Sequence, residues 1–378
     1  MKILKSLSLV LVLTVVFSSF AISSFAADAE DKVIISSIDD LPELTNFKTD
    51  DAGKISVTKN GNVLSLTSDS FANGVTNYKN AGAEARYCLV PAKPGGKLGG
   101  DIDWSQYKKL RIEFNILIKD KSNGISFRTQ RCDSEGNLVD SAKYYVFGVG
   151  GETFASNRPQ NSGYTYYTQK NSTLGNSYIS VNEWHNVVIE IGANGENKDV
   201  KFYIDGADKS DIINVVLNNK AISTTPKAQI HDDTIGFGGA SENKCVLIPN
   251  GAQNSLFGVS LSGLKMTAAN TDFTPRAEGK ITAEELKGTK NAETGKIDTS
   301  AIVYNLTGET KNVKLIIAYY DSEKNLADVE TKDVTVENTY VTNINGEFAN
   351  TSKAYASAKV FLWTDGDIIP LAKSADVQ

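Results

Sequence analysis

From Lys54 to the end of the chain, apolar and polar residues alternate with a period of two, the pattern of half-buried strands and not of helices. Ile55 and Val57, then Val63, Leu64 and Leu66, flank Asn60-Gly61, a dipeptide favoured in type I′ turns, and predict a hairpin over Lys54–Ser68. Leu110, Ile112, Phe114, Ile116 and Ile118 share one face of a long strand, with Arg111, Glu113 and Asn115 opposite. Gly124–Cys132 and Leu138–Val149 predict a second pair. Trp184–Ile191 and Val200–Asp205 predict a third, across Asn194-Gly195. Thr234–Ala240 and Leu256–Thr267 supply late strands. A series of this kind with no helical crossover predicts an all-β fold, an antiparallel sandwich.

The pattern breaks near Thr271–Arg276. Thr282 with Glu285 three residues on is a capping box, which predicts a short helix over Thr282–Leu286. Strands follow at Ala301–Leu306, Val313–Tyr320, Asp333–Glu337 and Ala358–Trp363, a density that suits an immunoglobulin-like sandwich. At the other end, Met1–Lys5 is basic, Leu7–Phe20 is apolar, and Ser24-Phe25-Ala26 offers small residues for signal peptidase. The expected layout is a signal peptide over 1–26, a jelly roll over 27–270, a linker over 271–285 and an Ig-like domain over 286–378. The protein is expected to be secreted, extracellular or cell-wall associated. No later apolar stretch is long enough to span a bilayer, so no transmembrane segment is expected in the mature chain.

Composition narrows the chemistry. The formal charge is −6 and the sequence pI about 5.2, and loss of Lys2 and Lys5 with the signal peptide makes the chain more acidic still. No net cationic field is available to displace counterions from phosphates, so no nucleic-acid partner is expected. With 2 His and 3 Cys, zinc clusters and disulfide scaffolds are not expected, and Cys88, Cys132 and Cys245 can form at most one bridge.

One stretch is specific. It runs Trp184-His185-Asn186-Val187-Val188-Ile189-Glu190-Ile191, then a polar turn, then Val200-Lys201-Phe202-Tyr203-Ile204-Asp205-Gly206. It resembles the hairpin of the concanavalin A-like lectin/glucanase superfamily, especially its laminin G-like branch, where a Trp opens one strand and Tyr-x-Asp-Gly closes the next. The resemblance implies a jelly roll over roughly residues 30–270, closed by Leu256–Met266 pairing with the first strand near Val33–Ile38. It also implies a family whose members bind glycans, cleave them, or mediate adhesion. The C-terminal series resembles the small Ig-like modules appended to secreted bacterial proteins as spacers or attachment modules.

The glucanase branch carries its catalytic acids two apart on one strand, aimed into one cleft. No strand here has that pattern; Glu113 and Glu190 stand singly. Asp101 and Asp103 suit a solvated turn, or a structural calcium site short of further oxygen ligands. Otherwise no cofactor is expected. Some jelly-roll polysaccharide lyases use an Arg-rich strand, a Gln-Ile-His strand and a Tyr; Arg128, His231 and Tyr166 would fill those roles here, although Gln130 stands where an acid is expected. His185 reads as a sheet-edge histidine satisfied by a backbone carbonyl, and Trp104, Trp184 and Trp363 as core residues. The segment with Tyr144, Tyr145, Tyr164, Tyr166, Tyr167 and Tyr178 is rich in amides and hydroxyls, which suits stacking on a pyranose ring with hydrogen bonds to its hydroxyls. The candidate contacts are Tyr164, Tyr166 and Arg128, with Asn161 and Gln169 as hydrogen-bonding partners. The leading expectation is a secreted, non-catalytic, lectin-like protein recognising polysaccharide or cell-wall glycan. The alternatives are a jelly-roll lyase or glycoside hydrolase, and a structural or adhesive surface protein.

Overall fold

A computed structural model describes residues 29–40, 56–68, 87–90, 106–119, 124–131, 144–150, 156–157, 179–192, 200–209, 235–236, 245–250, 257–349, 355–366 and 369–378. Among these the regular elements are strands, apart from one 3-10 turn at Ile38–Asp40. In chain order they begin with β1 (Lys32–Ile35), β2 (Ser56–Asn60), β3 (Val63–Ser68), β4 (Tyr87–Val90), β5 (Lys109–Ile118), β6 (Gly124–Arg131) and β7 (Tyr144–Gly150). There follow β8 (Ser156–Asn157), β9 (Trp184–Gly192), β10 (Val200–Ile204), β11 (Ala207–Asp208), β12 (Ile235–Gly236), β13 (Cys245–Asn250) and β14 (Phe257–Ala269). The last are β15 (Ile281–Lys290), β16 (Ile297–Asn305), β17 (Lys311–Tyr320), β18 (Leu326–Val336), β19 (Thr342–Phe348), β20 (Ser357–Thr364) and β21 (Ala375–Asp376).

All named strands pair antiparallel, and the expected all-β sandwich fold is what they build. Sheet 1 runs β11-β10-β9-β5-β14-β3-β2, with β1 also on β14; sheet 2 runs β4-β13-β6-β7-β8, with β12 also on β6. Sheet 3 is β15-β16-β19 and sheet 4 is β18-β17-β20-β21. The first strand pairs with the late one as expected, Val33 opposite Thr267 and Ile35 opposite Met266.

Sheet 1 shows why the alternation matters. Leu110, Ile112, Phe114, Ile116 and Ile118 are fully buried, and the register sets Val187 and Ile189 of β9, Val259, Leu261 and Met266 of β14, and Leu64 and Leu66 of β3 on the same face. Each such side chain contributes about 1.5–3 kcal/mol by leaving water. Two turns close as tightly as a hairpin can. Asp205 and Gly206 both have positive φ (50° and 76°), the type I′ turn that Asp-Gly favours. In the first hairpin the loop is one residue later than expected: Asn60 pairs with Val63, so Gly61-Asn62 make the turn, with positive φ at Gly61 alone. That sign pattern belongs to type II′, which puts Gly first.

The expected helix over Thr282–Leu286 is instead part of β15. Its residues are good helix formers, but a ladder to β16 that runs from Ile281↔Asn305 to Lys290↔Ile297 overrides local propensity. The capping-box Glu285 sits in a bulge, where the register jumps from Glu284↔Ile302 to Lys287↔Ser300 and its own φ is 50°.

Residues 31–378 form one compact unit. The second sandwich has its core between sheets 3 and 4: Ile297, Ala301 and Val303 against Val313, Leu315, Ile317, Val360 and Leu362. β16 is buried on its other face as well, where Ile302 and Tyr304 pack with Val341, Trp184 and Tyr340. Sheet 3 therefore lies between sheet 4 and the polar face of sheet 1. Trp184 belongs to this junction, not to the core of the first sandwich. Gly263, in the bulge of β14, is what lets the layers meet. Its φ is +58°, and a Cβ there would lie 2.8 Å from Asn115 Nδ2 and 3.3 Å from Ile302 Cδ1. Gly263→Ala is expected to cost about 1–2 kcal/mol through backbone strain and overpacking. An unchanged chemical-denaturation midpoint for this variant would contradict the close approach.

Candidate functional site

The expected contact residues divide sharply. Tyr164, Tyr166, Asn161, Gln169 and the lyase candidate His231 lie outside the described residues, as do Trp104, Asp101 and Asp103. Arg128 lies on β6, between β13 and β7, opposite Val246 on one side and Val146 on the other. Gln130 pairs with Tyr144 in the same ladder.

His185 is not held by a backbone carbonyl, as the sequence led us to expect. Its Nδ1 is 2.6 Å from Asp205 Oδ2 and its Nε2 is 2.8 Å from Ser180 Oγ. The connectivity is that of a Ser-His-Asp triad. Its chemistry is different. Ser180 has one proton, and it donates to Glu183 Oε2 at 2.6 Å, which leaves no hydroxyl proton for the imidazole to take. Asp205 Oδ1 meanwhile accepts from the Asn186 amide at 2.8 Å, tying the Asp-Gly turn to β9. The chain Glu183–Ser180–His185–Asp205 locks a hairpin. The signal for it lay in the Trp-His and Asp-Gly pairs read together.

The polar face of sheet 1 is closed by an ionic seam. Glu190, 2% exposed, takes Arg111 Nη2 at 2.8 Å and Lys109 Nζ at 3.4 Å, and accepts from the Phe273 amide at 3.1 Å. Arg276 bonds Glu113 of β5 and Glu284 of β15, both at 2.9 Å, with its guanidinium carbon 3.6 Å from the centroid of the Tyr304 ring. Lys265 is also paired with Glu284. Burial works to raise the Glu284 carboxyl, but Lys265 and Arg276 outweigh it and hold it below the ordinary carboxylate range. Burial pushes the Tyr304 hydroxyl well up, and it stays neutral, accepting from Asn115 Nδ2 at 3.2 Å. Thr271, Asp272, Phe273 and Arg276, at the start of the expected linker over 271–285, are thus bonded to Asp31, Lys109, Glu190, Glu113 and Glu284. Glu113 and Glu190 are structural partners of arginine, not residues of a catalytic cleft.

Beside the seam a cleft of about 980 Å³ opens between the two sandwiches. Its walls are the 3-10 turn, the β2–β3 turn, β15, β16, β19 and the last residues of the chain. The lining is polar: Asp39, Lys59, Lys287, Ser300, Asn345, Asp298, Lys332 and Glu347 contribute, and Leu286 is the one large apolar side chain among the described lining residues. Asp39 bridges Lys59 and Lys287. Burial favours its neutral form, yet the hydrogen bonds from Lys287 and Lys59 prevail and lower its pKa. Glu285, which precedes the lining residues Leu286 and Lys287, goes the other way. Its side chain is 9% exposed, neither oxygen has a hydrogen-bond partner, and burial raises its pKa against the pull of Lys287 and Lys265. Asn62 donates to the Glu285 carbonyl at 2.7 Å while its own Oδ1 has no partner. No local sequence signal marks this cleft, because its walls come from segments more than two hundred residues apart. Among the described residues no cluster of three or more His, Cys, Asp or Glu could hold a metal ion, and no helix is long and apolar enough to cross a membrane.

No model of a known protein family matches the chain, and no curated protein matches it. Among solved structures it is similar to PfGH50B at 10% identity, over 64% of this chain and 24% of that one, with a TM-score of 0.27. It is similar to a leech intramolecular trans-sialidase at 10% identity, over 78% of this chain and 36% of that one, with a TM-score of 0.28. A Bacillus licheniformis β-glucanase is similar at 15% identity, over 58% of this chain and 99% of that one, with a TM-score of 0.27. The chain spans about a quarter of the length of the first and a little over a third of the second. At these scores the likeness carries no argument about activity.

Proposed function

We propose that the protein is an extracellular glycan-binding protein that takes an oligosaccharide segment in the cleft between its two sandwiches. The observation that supports this reading is the character of the cleft. It is large enough for several sugar rings, and its lining offers amides, hydroxyls and internally paired charges instead of the apolar walls typical of small-molecule pockets. Sugar hydroxyls are both donors and acceptors, and such a lining answers both. The tyrosine-rich segment with Tyr164, Tyr166, Asn161 and Gln169, together with Arg128, would add stacking and hydrogen bonds. Export by residues 1–26 would place the protein where such polymers are.

Binding of this kind has a single-site Kd on the order of micromolar to millimolar, because few apolar contacts offset the entropy of ordering the ligand. The test is titration of the full chain with soluble oligosaccharides from plant and bacterial cell-wall polymers, followed by calorimetry. Asn345→Ala and Lys332→Ala, both at exposed positions of the lining, are expected to weaken binding about tenfold without changing the unfolding midpoint. Absence of binding across the panel, or wild-type affinity in both variants, would refute the assignment. Release of new reducing ends or unsaturated uronates would replace binding by catalysis.

A further inference from the structure

The second sandwich has a face that its own core does not use. Along β17 the core takes Val313, Leu315, Ile317 and Tyr319, and the residues between them point the other way. On that outer face Ile316 stands opposite Phe361, Lys314 opposite Trp363, and Ala318 opposite Val329. Trp363 was expected in the core; it is instead half-buried on the outside, its ring 5.8 Å from that of Phe361 and inclined to it by 65°. The apolar surface continues to the rim. Of the four large hydrophobic residues exposed among the described residues, two belong here, Leu326 at 60% and Val329 at 43%, while Pro370 is bridged to Trp363 on the other side of the sheet. Apolar side chains concentrated on one face of a sheet, unlike scattered ones, mark a binding surface.

We propose that this outer face of sheet 4 is a second, planar contact surface that takes the flat C–H face of an uncharged, insoluble polysaccharide. The ligand class rests on the glycan reading above, but the two sites meet only at Asp376, and none of the apolar residues of this face lines the cleft. Charge decides the occupant. Lys314 lies 2.6 Å from Asp333 and 3.8 Å from Asp365, and Lys359 lies 3.6 Å from Asp376. The cations bordering the rings are thus each neutralised by a carboxylate. Such a rim has no free charge for a phosphate or an acidic polymer. It offers hydrogen bonds to hydroxyls around an aromatic and aliphatic floor, which is the arrangement a pyranose chain lying flat requires. An open sheet face suits an extended polymer surface, whereas the cleft suits a single chain.

The test is depletion of the full-length protein from solution by microcrystalline cellulose, crystalline chitin and insoluble β-1,3-glucan. Trp363→Ala and, because that change removes packing as well, Val329→Lys at an exposed position are the variants. Each is expected to lower the partition onto at least one of these solids about tenfold, while soluble oligosaccharide binding is unchanged. The cleft variant Asn345→Ala is expected to do the reverse. Loss of soluble binding in Asn345→Ala with no effect of Val329→Lys would overturn the planar site and leave the cleft standing. Failure of the wild-type protein to deplete onto any solid would also overturn it. So would sedimentation showing a dimer that Val329→Lys dissolves, since a second copy would then be the occupant.

Discussion

Replacing Arg276 by alanine is expected to destabilise the protein by about 3–5 kcal/mol, the largest effect of any single change discussed, because it leaves the Glu113 carboxylate at the junction without a cation and Glu284 with Lys265 alone. Arg276 is the only described cation bonded to Glu113, and it shares Glu284 with Lys265. Burial acts to lower its own pKa, but Tyr304, Glu113 and Glu284 more than compensate, so the guanidinium stays charged. The guanidinium also caps the face of Tyr304. Arg276→Lys would keep the charge but lose the two-pronged reach, and is expected to recover only part of the loss. Denaturant unfolding with two probes measures this. A change under 1 kcal/mol for Arg276→Ala would mean that the seam is solvated and that the two sandwiches are not tightly joined. An intermediate appearing in the variant alone would locate the damage at the junction.

Glu285→Gln is expected to act in the opposite direction, stabilising the protein by about 1–3 kcal/mol at neutral pH. Its backbone is held at a positive φ, and the nearly enclosed carboxylate has no hydrogen-bond partner at either oxygen, only the Lys287 ammonium 3.6 Å from Oε2. Burial raises its pKa in the folded state, so the folded protein binds this proton more tightly than the unfolded chain does. The stability associated with that proton is fully present below the ordinary glutamate range and is lost as pH rises through the raised value. The charged groups facing it are Lys287, Lys265, Asp39 and Glu284. Asp39 and Glu284 have lowered values, so their contribution runs the other way and is lost on acidification. Comparing variant with wild type isolates Glu285. The two unfolding curves are expected to coincide in acid and separate as pH rises above the ordinary glutamate range. Parallel curves at all pH would show that Glu285 is as well solvated when folded as when unfolded.

Much of the architecture was legible because alternation of period two is a property of each strand alone. The apolar face of β5, the Asp205-Gly206 turn and the return of the first strand to β14 could all be read without knowing what lay across from them. The failures share a cause. Arg111, Glu113 and Asn115 could be read only as the side of β5 opposite its apolar face, since nothing local says what covers them. Thr282–Leu286 read as a helix because propensity is local and the β15–β16 ladder is not. Trp363 read as core because a large ring is usually inside, whereas here the alternation of β20 gives the interior to Val360 and Leu362 and leaves Trp363 outside. His185 was placed at the right strand end with the wrong partner, for Asp205 lies twenty residues on. The cleft was invisible for the same reason as the seam: it exists only where two distant halves meet.

Because β16 is wrapped on both flanks, neither half of this molecule can be handled as a detachable part. Cutting between them would leave Ile302, Tyr304, Val341 and Trp184 naked on one fragment or the other, and an isolated half would be prone to clump or to seize whatever greasy surface lay nearby. Over evolutionary time the same bond means that the two halves have to travel through genomes as a single cassette, with substitutions on one side answered on the other.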